Sequence, residues 1–160
     1  MTDASAPLPA ETTDDEILAD VFEQKAVRLA KRERLLAERT DAAGGAYPVA
    51  VPVTDTIPAL RERFASLEAG DETGVTASVA GRIVFSRNTG KLCFAALQSG
   101  DGSRIQAMVS LAEVGEESLQ AWKELVDLGD HVSVTGQVIS SRRGELSIMV
   151  TEWAIAAKAL

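Results

Sequence analysis

Two different hydrophobic periods divide the chain into a helical part and a strand-rich part. Between residues 13 and 39, apolar side chains recur at spacings of three, four and seven, which predicts one stripe along a long helix: Leu18, Phe22, Ala26, Leu29 and Leu36. Thr13 and Glu16 form a capping box at its start, because each side chain can bond the other's backbone N–H. From Val75 the period falls to two, which is typical of half-buried strands.

The alternating part predicts a set of strands interrupted by one helix. Turns rich in Gly, Asn and Arg separate the predicted strands, which are residues 75–86, 91–98, 104–110, 131–141 and 145–153. The helix is predicted over residues 116–126, between the third and fourth strands. We therefore expect four segments: a disordered acidic tail at 1–12, a helix at 13–39, a linker at 40–74 with a short helix over Ala59–Leu67, and a folded domain at 75–160.

This order of elements predicts an all-β OB-fold, a five-stranded Greek-key barrel with a helix between strands 3 and 4, preceded by a long N-terminal helix. Gly81 and Gly136 fall in mid-strand, where a tightly curved barrel needs a bulge or a bend. An SH3-like barrel is the competing architecture, but it normally lacks a helix of this length at this point. Barrels of the OB type bind oligonucleotides on the face around strands 2 and 3 and on nearby loops.

Alternation also predicts which side chains reach that outer face. If the first strand turns Val79, Ile83 and Phe85 inward, Arg82 points outward. The same argument for the other strands adds three more outward side chains: Phe94, Gln106 and Glu145. An outward aromatic ring can stack on an unpaired base, and the polar groups can bond a base edge. Two alternatives stay open: a reversed phase would bury Phe94, and Arg82 could simply pair with Glu145.

The net charge of −8 argues against simple electrostatic binding of a long nucleic acid, but it hides a basic segment. Residues 1–23 carry seven acids and no Lys or Arg, whereas residues 24–39 carry six bases against two acids. The basic helix is either a solvated face or a track for a phosphate backbone. The candidate phosphate contacts on this helix and on the strand loops are Arg28, Arg32, Arg87, Lys91, Arg142 and Arg143.

A single cysteine, Cys93, and a single histidine, His131, leave little for a disulfide framework, a metal centre or His-based catalysis, so we expect no metal site and no catalytic residue. Both are more readily explained as ordinary barrel residues. The first residues lack a basic and apolar leader, and no apolar run is long enough to span a bilayer. A cytoplasmic location without a membrane partner is therefore expected.

Several motifs together resemble the anticodon-binding domain of bacterial class II lysyl-tRNA synthetases. They are Val79-Ala-Gly-Arg82, Gly90-Lys-Leu-Cys-Phe94, Leu97-Gln98, Ile105-Gln106, Asp127-Leu-Gly-Asp130, Gly136-Gln-Val138 and Ser141-Arg-Arg-Gly-Glu-Leu-Ser147. The resemblance covers about residues 25–160. It implies that Phe94 stacks on an anticodon base of a uridine-rich loop, and that Arg82, Gln106 and Glu145 read base edges. The long basic helix resembles the family's first helix, which lies along the tRNA.

The resemblance also implies partners and cofactors that lie outside this segment. Family members attach lysine to its tRNA with ATP and Mg²⁺ in a catalytic domain that follows the barrel, and they act as homodimers. None of that domain's motifs occurs here, so this segment alone is expected to bind no cofactor and to lack aminoacylation activity. Two alternatives remain: the equivalent barrel of an aspartyl- or asparaginyl-type synthetase, and a free-standing OB-fold that binds single-stranded nucleic acid.

Overall fold

The structure is a computed structural model that describes residues 13–38, 47 and 50–160. The helices within these residues are α1 (Asp14–Glu38), α2 (Ile57–Arg63), α3 (Leu111–Val114) and α4 (Glu116–Leu125). The strands are β1 (Glu72–Asn88), β2 (Leu92–Gln98), β3 (Arg104–Ser110), β4 (His131–Ser140) and β5 (Leu146–Ala157). The predicted tail at 1–12 and most of the linker between residues 39 and 49 lie outside the described residues.

The strands of the described region close into a barrel in the order β1-β2-β3-β5-β4, with β4 pairing back to β1. Only the β3–β5 pairing is parallel, and the other pairings are antiparallel. Helix α4 lies between β3 and β4 in the chain and buries Leu119, Trp122 and Leu125 in the barrel core. The predicted OB-fold is confirmed, and closure of the sheet leaves the barrel without a free edge.

Alternation correctly predicts the inward side of β2 and β3. Cys93, Ala95 and Leu97 are buried, as are the corresponding residues of β3. Phe94 therefore points away from the core, and the reversed phase for β2 is excluded. The predicted irregularity at Gly136 is also present, because the register of β4 against β5 shifts between Thr135 and Gly136. A side chain at position 136 would overlap the backbone carbonyl of Met149.

Several element boundaries differ from the sequence-based expectation. Helix α2 covers Ile57–Arg63 and not Ala59–Leu67, because the hydroxyl of Thr56 accepts the N–H of Ala59 at 3.2 Å and caps the helix earlier. Strand β1 begins at Glu72, three residues before the predicted start at Val75. Strand β5 continues past the predicted end at residue 153 to Ala157, and the short helix α3 was not predicted.

The capping box of α1 forms as predicted, but the predicted apolar stripe does not pack. The Thr13 N–H donates to the Glu16 carboxylate at 3.0 Å, and the Glu16 N–H donates to the Thr13 hydroxyl at 3.4 Å. No described residue of α1 is buried, and Phe22 keeps 68% of its surface exposed. Leu35, and not the predicted Leu36, packs against the barrel core.

Polar contacts attach α1 to the barrel. The Lys31 ammonium lies 2.5 Å from the Asp127 carboxylate, and Arg28 donates to the backbone carbonyl of Ala159 at 2.9 Å. Arg34 forms a further ion pair with Glu124 of α4 at 2.7 Å. These residues come from the basic segment of the helix. Much of its positive charge is therefore used to hold the helix on the barrel.

Beneath this junction lies a buried charge cluster at the end of β5. The ammonium of Lys158 is fully buried and donates to Asp130 at 2.5 Å, to Asp127 at 2.9 Å and to the carbonyl of Leu125 at 2.7 Å. Burial alone would raise the pKa of Asp127, but the hydrogen bonds from Lys31 and Lys158 outweigh it and hold the pKa below its ordinary value. This cluster ties the exit of the barrel to the turn before β4.

Candidate nucleic-acid interface

The register of four strands arranges side chains in rows across the outer face of the barrel. One row runs from Arg87 on β1 to Phe94 on β2, Met108 on β3 and Met149 on β5. The neighbouring row runs from Phe85 through Ala96 and Gln106 to Ser147. Side chains directly opposite one another across a sheet are in contact range, so neighbouring members of each row can touch.

An open cleft of about 790 Å³ lies over this face, and both rows contribute to its lining: Arg87, Phe94, Met108 and Met149 from the first row, and Phe85 and Gln106 from the second. Its apolar lining comprises Phe85, Leu92, Phe94, Met108, Ile139 and Met149. Its charged lining comprises Arg87, Arg142 and Arg143 against Glu72 and Glu145, which leaves one net positive charge. A chain with a net charge of −8 thus has a locally basic cleft with an apolar floor. This combination suits a ligand with flat apolar rings and a negative backbone.

Phe94 is half-buried and carries the guanidinium of Arg87 over its ring, 4.8 Å from the ring centroid. The arginine is thereby held against the aromatic platform, and its planar group extends the surface available for stacking. The sequence predicts a phosphate contact for Arg87. Its position on the Phe94 ring, which only the pairing of β1 with β2 reveals, leaves that contact a prediction.

The amide of Gln106 is oriented by a neighbour on β5. The hydroxyl of Ser147 donates to Gln106 Oε1 at 2.9 Å. With its oxygen engaged, the Gln106 amide presents its NH₂ group as a donor to a ligand. Ser147 ends the motif Ser141-Arg-Arg-Gly-Glu-Leu-Ser147, but its contact with Gln106 depends on the parallel β3–β5 register.

Glu145 stands at the rim of the same cleft, two residues before Ser147. Its carboxylate pairs with Arg61 of α2 at 3.0 Å, and Arg61 also donates to the backbone carbonyl of Arg104. The alternative that Glu145 pairs with Arg82 is therefore wrong. Arg61 was missed by sequence reasoning because nothing in the pattern of α2 indicates which strand it faces.

Arg82 does not join the other three predicted base-reading residues. It is exposed, as alternation predicts, but it does not line the cleft. Its neighbours in the sheet are Gln98 of β2 and His131 of β4. Gln98 lies four residues from Phe94, roughly 13 Å along the strand at about 3.3 Å per residue. The outward direction of the Arg82 side chain was thus predicted correctly, but this did not predict whether it lies in the same cleft as the other three residues.

The turn between β4 and β5 places two arginines at the cleft. The Gly144 N–H donates to the carbonyl of Ser141 at 2.8 Å, and Gly144 has a positive φ of 83°, which closes the turn tightly. Arg142 and Arg143 are exposed within this turn and line the cleft. Lys91 is exposed in the turn between β1 and β2 but lies outside the cleft lining.

The two candidate phosphate contacts on α1 lie apart from this cleft. Arg28 donates to the carbonyl of Ala159, and Arg32 pairs with Glu33 at 3.1 Å. Neither lines the cleft. The geometry favours a structural role for Arg28, which attaches α1 to the barrel. The phosphate contacts of Arg28 and Arg32 stay predictions.

Across residues 13–38, 47 and 50–160, no group of three or more His, Cys, Asp and Glu side chains is placed to hold a metal ion. Cys93 is buried in the barrel, and burial raises the pKa of its thiol. Within the same residues, no helix has the length and apolar character needed to cross a membrane.

Fold and cleft together define a class: an OB-fold barrel with an aromatic ring, hydrogen-bonding groups and a basic rim on its strand 2–3 face, where such barrels bind oligonucleotides. Residues 77–156 match the family model for tRNA anticodon domains, described as an OB-fold nucleic acid binding domain. The chain therefore belongs to the tRNA anticodon family of OB-fold nucleic acid binding domains.

Individual curated relatives indicate which members of this family the chain resembles. The chain is 58% identical over 146 residues to a lysine–tRNA ligase of Kineococcus radiotolerans, covering 91% of this chain and 28% of the relative. It is 56% identical over 141 residues to a lysine–tRNA ligase of Mycolicibacterium gilvum, with coverages of 88% and 27%. A lysylphosphatidylglycerol biosynthesis bifunctional protein of Nocardia farcinica matches at 36% over 138 residues, which is 11% of its length. The chain thus spans less than a third of each of these relatives.

Proposed function

We propose that this chain grips the anticodon loop of a lysine tRNA, as the N-terminal part of a lysine–tRNA ligase. The observation that carries the proposal is the convergence of Phe94, Gln106 and Glu145 on one cleft. The identity of 56–58% to lysine–tRNA ligases, against 36% to the bifunctional protein, favours the ligase over the second kind of relative. The same identities disfavour an aspartyl- or asparaginyl-type barrel.

The three residues offer complementary chemistry to an unpaired uridine. Phe94, with Arg87 on its ring, supplies a flat surface for stacking. The NH₂ group of Gln106 can donate to a uracil carbonyl, and the carboxylate of Glu145 can accept from the uracil N3–H. Arg61 holds that carboxylate in place before the base arrives, so less conformational freedom is lost on binding.

Positive charges around the cleft would hold the backbone of the loop. Arg142 and Arg143 stand in an exposed turn, where long side chains can follow a phosphate without reading a base. Lys91, Arg28 and Arg32 would add contacts to more distant phosphates of a whole tRNA. A base-reading contact of Arg82 stays a prediction: its side chain is exposed, but it lies outside the cleft lining.

The activity of the whole protein is part of the same proposal. Lysine would be attached to tRNA with ATP and Mg²⁺ in a catalytic domain outside these 160 residues, in a homodimeric cytoplasmic enzyme. The 160 residues would neither bind these cofactors nor aminoacylate by themselves. Their contribution would be recognition of the tRNA, which presents the correct substrate to the catalytic domain.

Selective binding tests this function directly. We expect the chain to bind a uridine-rich anticodon stem-loop more tightly than the same stem-loop with cytidines in the anticodon. The reason is that cytidine has no N3–H that could donate to the Glu145 carboxylate. Affinity should also fall as salt rises, since bound arginines release counterions from the phosphates. Fluorescence anisotropy titrations of both labelled stem-loops at several salt concentrations would measure this. Equal affinity for the two stem-loops would contradict anticodon reading.

A second prediction separates phosphate contacts from base contacts. Replacing Arg142 and Arg143 together by alanine should weaken both stem-loops to a similar extent and flatten the salt dependence by up to about one unit of slope per arginine. Gln106→Ala should instead reduce the preference for the uridine-rich loop and leave the salt slope nearly unchanged. The same titrations measure both quantities. The assignment of roles would be wrong if the double arginine variant changed the preference for the uridine-rich loop and the Gln106 variant did not.

A further inference from the structure

Phe85 is a second aromatic residue in the cleft, and a local irregularity of β1 puts it there. Strict alternation places Phe85 on the inward side with Val79 and Ile83. In the structure the register of β1 against β2 shifts between Ile83 and Phe85, so that Val84 is the extra residue of a bulge. Beyond the bulge the inward and outward sides exchange. Phe85 therefore faces outward, and 51% of its surface is exposed.

The neighbours of Phe85 place it beside the first platform. Phe85 pairs with Ala96, which in turn pairs with Gln106. Ala96 is two residues from Phe94, so the two phenyl rings occupy diagonal positions on one face, where residues of adjacent strands lie about 7–8 Å apart. The small side chain of Ala96 leaves the space beside the Phe85 ring open. Both rings line the same cleft.

The remainder of the cleft identifies the kind of ligand that would cover this ring. Arg87, two residues from Phe85 along β1, lies over the Phe94 ring and brings positive charge next to the aromatic positions. The cleft volume of about 790 Å³ falls in the range of sites that enclose drug-sized ligands, which leaves room for more than one base. Two flat rings beside an arginine match consecutive bases joined by a phosphate.

We propose that Phe85 is a second stacking platform, which binds the base adjacent to the one held on Phe94 in the same single-stranded loop. This inference rests on the proposed function and extends it, because it doubles the number of bases that the cleft holds by stacking. Stacking is tolerant of base identity, so Phe85 would contribute affinity and loop order, whereas Gln106 and Glu145 would supply selectivity.

Titration with abasic stem-loops tests the proposal. In each stem-loop of the series, one nucleotide of the uridine-rich loop lacks its base. Phe85→Ala should weaken the intact stem-loop about 5- to 150-fold, the range measured when a base loses its aromatic partner. Removing the base that stacks on Phe85 should weaken the wild-type chain but not further weaken Phe85→Ala. The position at which base removal does not further weaken Phe94→Ala should be the immediate neighbour of that position in the loop.

Matched variants separate stacking from other effects of the substitution. Phe85→Tyr keeps the aromatic face and should retain affinity, whereas Phe85→Leu keeps apolar surface alone and should bind as weakly as the alanine variant. Phe22→Ala removes an even more exposed ring, 68% against 51%, from α1 outside the cleft and should leave affinity unchanged. Unchanged affinity in Phe85→Ala and Phe85→Leu, with normal loss in Phe94→Ala, would overturn the second platform alone. A wild-type chain without preference for the uridine-rich loop would instead overturn the proposed function.

Discussion

Phe94→Ala is expected to weaken binding of the anticodon stem-loop by about 1–3 kcal/mol, because the base loses its stacking partner. The fold should scarcely respond, since the ring faces the cleft and its removal opens no cavity in the barrel core. Arg87 would lose the ring that holds it, which adds to the loss of affinity. Anisotropy titration of the stem-loop and thermal melting of the free chain measure the two effects separately.

Leu97→Ala is the matched control for Phe94→Ala, because it lies on the same strand and is fully buried. It should show the opposite pattern: a loss of about 2–5 kcal/mol of stability from a cavity in the core, and near-normal affinity at temperatures where the chain stays folded. Similar destabilisation by both substitutions would mean that Phe94 contributes to the core and would remove the main support for the anticodon site.

The largest stability effect is expected from Lys158→Met. This change removes the fully buried ammonium and leaves Asp130, which is also fully buried, without its cation. Breaking a buried ion pair on one side costs about 3–5 kcal/mol, which corresponds to a fall in the melting temperature of roughly 6–20 °C for a chain of this size. The fluorescence of Trp122 and Trp153, whose rings meet edge-on at 5.3 Å, would follow unfolding.

Lys31→Met is the matched control for the buried lysine. Lys31 contacts Asp127, which Lys158 also binds, but about a fifth of the Lys31 side chain is exposed to solvent. Removing its charge should therefore lower the free energy of unfolding by roughly 1 kcal/mol or less. Lys158 would keep one hydrogen bond to Asp127 in that variant. A Lys158→Met variant as stable as the wild type would contradict this expectation. It would show that the desolvation cost of the ammonium is as large as the stabilisation from its three contacts.

The parts of this structure that the sequence predicted well are those in which local pattern and chemistry agree. The alternation of Cys93, Ala95 and Leu97 with their neighbours predicted which way Phe94 faces, because a strand has only two sides and one of them must be apolar. The capping box at Thr13 predicted the start of α1 for a similar reason, since both hydrogen bonds lie within one turn.

The partners of outward side chains were not predictable in this way. Alternation put Arg82 and Gln106 on one face, but it does not say how far apart two outward residues of different strands lie. That distance depends on strand register, which in a closed barrel is set by all the strand pairings together. Contacts that were missed, such as Arg61 with Glu145 and Arg87 with Phe94, join residues of different elements whose register no local pattern contains.

The sequence by itself determined the order of the strands and of α1, α2 and α4, the inward side of β2 and β3 and the residue types available for binding a base, because each follows from hydrophobic period and local chemistry. Only the tertiary structure decided that Phe85 faces the cleft, because the single extra residue Val84 exchanges the two sides of β1 after Ile83. It also decided that the basic residues of α1 mostly bind the barrel. Their partners Asp127, Glu124 and Ala159 are distant in sequence and meet the helix only once the barrel has closed.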